Sequence, residues 1–236
     1  MAFQQQSQRS LDVATAVGPQ LYRILRQRII RNDLEPGSRI SEAEIAAEYA
    51  VSRQPVREAF IKLAEEGLVE VRPQRGTFVR KIATSAVMDA RFVREAIEAD
   101  IAKELASGRN TGLEEDLRRQ LKEQARAAKH GDSIRFIELD ELFHRTLAEA
   151  AGKVYAWNVI ESVKAQMDRV RHLSTRRFPM DKLVEQHSAI ASAITAADAD
   201  AAEHAVRAHL REILNDLPAI AESKPEFFED ARPGNK

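Results

Sequence analysis

Cysteine is absent from the 236-residue chain. Its absence excludes disulfides, thiolate zinc fingers, iron–sulfur clusters and cysteine nucleophiles. Aromatic residues are scarce at 6%, with one Trp and three Tyr, and nine Gly and eight Pro are too few for a turn-dense all-β or collagenous chain. No apolar run approaches the ~18–20 residues of a membrane-spanning helix. The opening segment MAFQQQSQRS lacks an apolar core followed by a small-residue cleavage site, so no secretory signal is expected. A chain without cysteine suits a reducing cytoplasm, which is the expected location. What is present is 44% hydrophobic and 31% charged, the balance of a globular protein of one or two domains, rich in helix formers. A mainly α fold is expected.

The net charge of −1 hides an asymmetry. Gln20 to Lys81 carries twelve Lys+Arg against nine Asp+Glu (+3), and the remainder carries 24 against 28 (−4). A small basic module joined to a larger acidic one fits this split. Residues 1–19 read as a flexible arm ending at Gly18-Pro19, and 20–82 as the basic module. Six helices are expected at roughly 85–107, 113–130, 133–151, 154–176, 180–197 and 199–222, with breaks at Gly108–Gly112, His130-Gly131-Asp132, Gly152, Phe178-Pro179 and Asp198. They form an all-helical domain over 85–222, and 223–236 reads as a flexible tail.

Within the basic module, apolar residues at Leu21, Ile24, Leu25 and Ile29 have helical spacing, and Leu34-Glu35-Pro36-Gly37 ends that helix. Ser41 with Glu44 predicts a capping box for a short second helix. Ser52 caps a third, with Pro55 in its first turn, running to Gly67. Alternating segments 68–72 and 77–82 around Pro73-Gln74-Arg75-Gly76 predict a β-hairpin. This order describes a winged helix-turn-helix. Arg53 and Arg57 lie one turn apart on one face, where guanidinium forks suit a guanine edge or a phosphate. Ser52 and Gln54 add polar contacts at the helix N-terminus. Arg72, Gln74 and Arg75 on the wing would meet the DNA backbone, and Gly76 permits close approach. Val56, Ala59, Phe60 and Leu63 point into the module's core.

The run LEPGSRISEAEIAAEYAVSRQPVREAFIKLAEEGLVEVRPQRGTFV closely resembles the N-terminal domain of GntR-family bacterial transcription regulators. The matching pieces are Pro36-Gly37, Glu42 with Ile45-Ala46, Val51-Ser52-Arg53, Pro55-Val56-Arg57-Glu58-Ala59, Gly67-Leu68-Val69 and Arg75-Gly76. It departs at Gln54, where Thr is usual, and at Phe60, where Leu is usual. The resemblance implies a homodimer on a palindromic double-stranded operator, with Arg53 and Arg57 among the DNA contacts.

The helical domain carries Asp140 and His144 at i and i+4 on one helix, His187 on another and His209 on a third. One carboxylate and three imidazoles are a workable shell for a divalent metal, zinc first, with nickel, manganese or iron as alternatives. Isolated His and Asp on alanine-rich helices are more often surface residues, and His130, His172 and His204 follow no such pattern. Residues 85–222 are similar to the FCD effector domain of the FadR-type branch of the family. The marks are Arg94 with Glu98, Asp140-Glu141-Leu142-Phe143-His144, Glu185-Gln186-His187 and His209. The resemblance implies a divalent ion on this Asp and these three His, which helps to hold a small carboxylic acid effector. The chain departs at Lys153, where Asn is common, and at Gln186, within a usual Glu-His pair.

Arg94 either pairs with Glu98 on the surface or anchors an effector carboxylate; Arg169 and Arg171 are weaker candidates for that task. The function expected is a ligand-responsive transcription regulator, a repressor, associated with the nucleoid when DNA-bound. Two alternatives come from other classes: a metalloenzyme using the Asp/His3 site, and a constitutive nucleoid-binding protein. The first needs a general base beside the metal, and Glu141 and Glu185, one and two positions from a ligand, point elsewhere because successive helical residues turn by about 100°. The second leaves the large acidic domain without a purpose.

Overall fold

The computed structural model describes residues 11, 12, 14–108 and 112–229. The rest of the expected N-terminal arm, the break at 109–111 and the last seven residues lie outside the described residues. The chain divides into two compact units, one running to Ile82 and including the chain from Lys224, the other Ala83–Ser223.

The first unit opens with α1 (Val17–Ile30), which starts within the expected arm because Gly18 and Pro19 occupy its first turn. Gln20 explains the order just before it. Its side-chain amide accepts from Asp12 N–H at 2.8 Å and donates to the Asp12 carbonyl at 2.9 Å and Thr15 Oγ1 at 2.7 Å. α2 (Glu42–Glu48) and α3 (Arg53–Glu65) form the helix-turn-helix, with Ala50 at φ 53° in the turn. Ser41 stands at the N-cap of α2, but its hydroxyl makes no capping bond, so the expected capping box is not formed. Leu21, Leu25 and Ile29 of α1 and Val56, Phe60 and Leu63 of α3 are buried. Phe60 takes the usual leucine's place inside this core.

The wing is a three-stranded antiparallel sheet in the order β1-β3-β2, built from β1 (Arg39–Ile40), β2 (Val69–Arg72) and β3 (Gly76–Val79). β1 was not expected. Two residues carry no periodicity, and its pairing of Arg39 with Phe78 exists only in the tertiary fold. Gly76 has φ +104°, which requires glycine, and a Cβ there would come 2.9 Å from Arg39 Nε and displace that side chain.

The tail also differs from expectation. A 3-10 turn (Pro225–Phe227) follows Lys224, and Phe227 and Phe228 are buried. Ile82 N–H donates to the Phe227 carbonyl at 2.8 Å, and Glu229 N–H donates to the Ile82 carbonyl at 3.0 Å. Arg80 pairs with Glu229 at 3.2 Å. Buried phenylalanines outweigh the ordering entropy of a short polar tail, so residues 224–229 are held rather than frayed. Phe227→Ala is expected to cost the winged unit about 3 kcal/mol and to speed hydrogen exchange at the Ile82 amide. Unchanged exchange would show that the tail does not brace this unit.

The second unit contains eight helices among the described residues: α4 (Thr84–Ser107), α5 (Leu113–Lys129), α6 (Ser133–Ala150), α7 (Val154–Val163), α8 (Ala165–Arg177), α9 (Asp181–Thr195), α10 (Ala199–Arg211) and α11 (Ile213–Ser223). Two of the six expected helices are each split, at Lys164 and at Glu212. Both junction residues keep right-handed helical backbone (φ −79°, ψ −7° and φ −57°, ψ −34°), so no glycine or proline marks the break. α4 is the central helix, packed against α10, α8, α9 and α6. The core joins Ala102 and Leu105 of α4, Leu117 of α5, Phe143 and Leu147 of α6, Trp157 of α7, Ile190 of α9 and Leu210 of α10.

Candidate metal centre and nucleic-acid interface

α6, α9 and α10 bring the four sequence-nominated residues together. One ligand atom each from Asp140, His144, His187 and His209 lies within 4.8 Å of the others, and all four residues are buried. His144 Nε2 and His187 Nε2 lie 3.1 and 3.2 Å from His209 Nε2, and Asp140 Oδ1 lies 3.5 Å from His187 Nε2. Phe143 stacks on the His187 ring with centroids 4.5 Å apart, which fixes its plane. The remaining histidines stay outside. His130 and His204 turn their Nδ1 atoms to carbonyls of their own helices, and His172 is buried on α8 without joining the group.

The outward nitrogens explain what faces inward. His187 Nδ1 meets Gln124 Oε1 at 2.7 Å, and Gln124 is oriented by donating to the Leu139 carbonyl at 3.2 Å. His209 Nδ1 meets Gln186 Oε1 at 3.0 Å, and Gln186 donates to Glu212 at 3.0 Å. His144 Nδ1 lies 2.6 Å from Glu98 Oε2, outside hydrogen-bond angles but too close to a carboxylate for anything except an N–H. Acceptors behind all three rings place each proton on Nδ1. Three Nε2 lone pairs therefore converge with no proton between them, and Asp140 Oδ1, buried and unpartnered, completes the set. Opposed lone pairs repel. A divalent cation at ~2.0–2.1 Å from each nitrogen removes that repulsion, and such ligands stand about 3.0–3.4 Å apart, which matches the spacing here. The residues fit a metal.

Electrostatics agree. Burial pushes His187 down to about 3, against the pull of Asp140. Burial, with His187 and His144 alongside, holds His209 well below its ordinary value, so both imidazoles are neutral and free to ligate near pH 7. Burial opposes the charge on Asp140, but Arg171, with Arg94 further off, outweighs it and keeps its carboxyl below the usual range. In the same way Arg94 and His144 outweigh burial at Glu98 and hold that carboxyl far down. Gln124 carries no local sequence signal, and the sequence offers Arg171 only as a weaker carboxylate anchor, not as the partner of Asp140. They are joined to the site only by packing.

Beside Asp140 lies a cavity of about 10 Å³ lined by Arg94, Ile137, Asp140, Glu141, Trp157, Lys164, Asp168 and Arg171. Arg94 does pair with Glu98, Nε to Oε1 at 2.6 Å, but the pair is buried rather than on the surface, and Arg94 Nη1 has no partner. Arg171 pairs with Asp140, and Lys164 donates to Asp168 at 2.6 Å and Glu141 at 3.2 Å. Arg169 is buried and donates to Gln166 at 3.0 Å, and it is not among the residues lining this cavity.

On the winged unit, Arg53 and Arg57 project from the first turns of α3 with side chains 64% and 55% exposed. Glu42 of α2 holds both. It accepts from Arg53 Nη2 and from Arg57 Nε and Nη2, each at 3.1 Å. Hydrogen bonding from Arg57 outweighs burial and lowers the Glu42 carboxyl. Ser52 sits at the N-cap with its hydroxyl unused for capping. Gln54 donates to Glu58 at 3.1 Å. Arg72 bonds Glu70 at 2.7 Å and lies 4.5 Å over the Phe78 ring, while Gln74 takes φ 60° at the wing tip. Arg39, which packs against Gly76, joins this basic edge, and the charge count alone could not place it.

Two sequence profiles cover most of the chain: the bacterial regulatory proteins of the gntR family over residues 18–79, and the FCD domain over 89–212. The HTH-type transcriptional repressor RspR of Escherichia coli K12 is 40% identical over 221 residues, 93% of this chain and 97% of that protein. The chain belongs to the GntR family. A Paenarthrobacter nicotinovorans protein named "Probable D-xylose utilization operon transcriptional repressor" is 33% identical over 89% of this chain and 91% of its own. A solved GntR regulator from Rhodococcus sp. RHA1 superposes with a TM-score of 0.73 at 26% identity, covering 87% of this chain and 99% of that one. This family member is a DNA-binding transcription regulator with an FCD domain, not an enzyme. Among the described residues no helix is long and apolar enough to cross a membrane.

Proposed function

We propose that the regulator is a cytoplasmic, homodimeric repressor whose FCD unit binds one divalent metal ion and a small carboxylic acid that controls operator binding. The observation that carries this reading is the convergence of three proton-free Nε2 atoms and Asp140 Oδ1 beside a cavity bearing the unpartnered Arg94 Nη1. Zinc suits three imidazoles and a carboxylate; these four side chains would fill a tetrahedral shell, so an acid would be admitted by expansion to five or more ligands. A metal held by Asp140, His144, His187 and His209 would supply a Lewis-acid contact for the acid's carboxylate, and Arg94 would clamp its far side. Arg94 and Glu98 lie on α4, which follows the winged unit after a single residue, Ala83. A movement of α4 on ligand binding resets the spacing of two recognition helices that must match one DNA repeat, about 34–36 Å. A coupling of about 1–3 kcal/mol then yields a roughly 5–150-fold response. A thermal-shift screen of small carboxylic acids on metal-loaded protein tests this reading, since binding to the native state raises the melting temperature. Acids that stabilise metal-free and metal-loaded protein equally would overturn it.

Ser52, Arg53, Gln54 and Arg57 are assigned to the major groove, and Arg72, Gln74, Arg75 and Gly76 to the wing contact with the backbone. Glu42 acts here as a positioning residue. Glu42→Ala is expected to raise affinity for random DNA, because a negative charge leaves the interface, and to reduce the specific-to-nonspecific ratio about fivefold. An unaltered ratio at equal salt would show that the clamp does not order the arginines. The homodimer follows from the two-fold symmetry of a palindromic site. Exposed Met88 and Phe92 on α4, and Tyr155, Val159 and Val163 at helical spacing on α7, offer apolar surface for it. A monomer by light scattering at micromolar concentration, still binding operator one-to-one, would refute the dimer.

A further inference from the structure

Trp157 is the single tryptophan of the chain and is 2% exposed on α7, yet its indole N–H has no hydrogen-bond partner. An indole nitrogen is a donor only, so it cannot be satisfied by a change of role. It lines the same cavity as Arg94, whose Nη1 is likewise buried and unpartnered. Other cations on the lining are already engaged: Lys164 by Asp168 and Glu141, and Arg171 by Asp140. Two buried donors with nothing to donate to, one charged and one neutral, belong to residues that line one small space beside a metal-type ligand set. Buried donors of this kind cost stability unless something accepts from them. One carboxylate serves Arg94; it does not also supply the neutral donor on another helix while ligating the metal. An oxygen beyond the carboxylate would serve the indole N–H.

We propose that Trp157 is a specificity-determining residue: its indole N–H donates to a hydroxyl or keto oxygen that the effector carries in addition to its carboxylate. This rests on the proposed acid-binding role of the site and adds to it a discrimination among acids. An acid lacking that oxygen leaves the indole N–H buried and unpaired, and is rejected for that reason. The cavity has room for about one water-sized group. An acid larger than that enters only as the lining side chains move apart.

The test compares acids matched in length, L-lactate against propionate and D-gluconate against hexanoate, titrated calorimetrically into zinc-loaded full-length protein. At least one oxygenated acid is expected to bind about tenfold or more tighter than its partner, and to shift the emission of Trp157, the sole indole fluorophore. Trp157→Phe, checked for an unchanged fold by circular dichroism, is expected to bring the two affinities of that pair within about twofold of each other. Preference retained in Trp157→Phe, or binding without a change in Trp157 emission, overturns the inference and leaves the acid-binding reading standing. Equal affinities within both pairs in the wild type overturn it without recourse to the variant.

Discussion

Arg57→Ala is expected to abolish operator recognition without unfolding the protein. The side chain is 55% exposed and its partner is Glu42, a surface pair whose loss costs at most about 1 kcal/mol of stability. Loss of one bidentate base contact costs about 1–3 kcal/mol. A two-fold dimer makes that contact twice, so the combined loss is about 2–6 kcal/mol, from roughly 30-fold to roughly 10⁴-fold in affinity. Fluorescence anisotropy with operator and with scrambled DNA, at one salt concentration, separates base reading from phosphate contact. A loss confined to the operator assigns Arg57 to a base; an equal loss on both DNAs assigns it to the backbone. Wild-type affinity for the operator would disprove the recognition-helix assignment.

Replacing His187 and His209 together by alanine is expected to remove one divalent ion per chain and the response to effector, while operator binding itself survives. Two of the four ligands go, and the remaining Asp140 and His144 sit one helical turn apart, too few for tight binding. At a free metal concentration a thousand times its dissociation constant, the wild-type protein gains about 4 kcal/mol from the ion. The variant forgoes this gain, so adding zinc to chelator-treated protein should raise the wild-type melting temperature by several degrees and leave the variant's unmoved. Elemental analysis reads the stoichiometry directly. Gln124→Leu is a milder companion, because the His187 ligand remains but its proton is no longer held on Nδ1; weaker metal binding by about 10- to 100-fold is expected. An undiminished effector response from protein shown to be metal-free would remove the metal from the mechanism.

The sequence by itself determined the winged helix-turn-helix and the helical content of the second unit. These depend on local chemistry: apolar residues every three or four positions, proline inside a first turn, glycine where φ is positive. Asp140 and His144 could be paired from their spacing, since four residues along a helix is a contact. Joining them to His187 and His209, 43 and 65 positions beyond His144, needed the resemblance to FCD domains, and only the packing of α6, α9 and α10 set the 3.1–3.2 Å approach of their Nε2 atoms. The tertiary structure alone decided the rest. It interrupted the expected helices at Lys164 and Glu212, residues with ordinary helical backbone, and it held the tail by burying Phe227 and Phe228. It moved Arg94 from a surface pair to a buried one, and it brought Gln124, Arg171 and Trp157 to one small region. A helix reports the period of its own residues. Which partners close around them is settled by the burial of other helices, where a lone donor or an unshielded lone pair becomes costly enough to require a ligand.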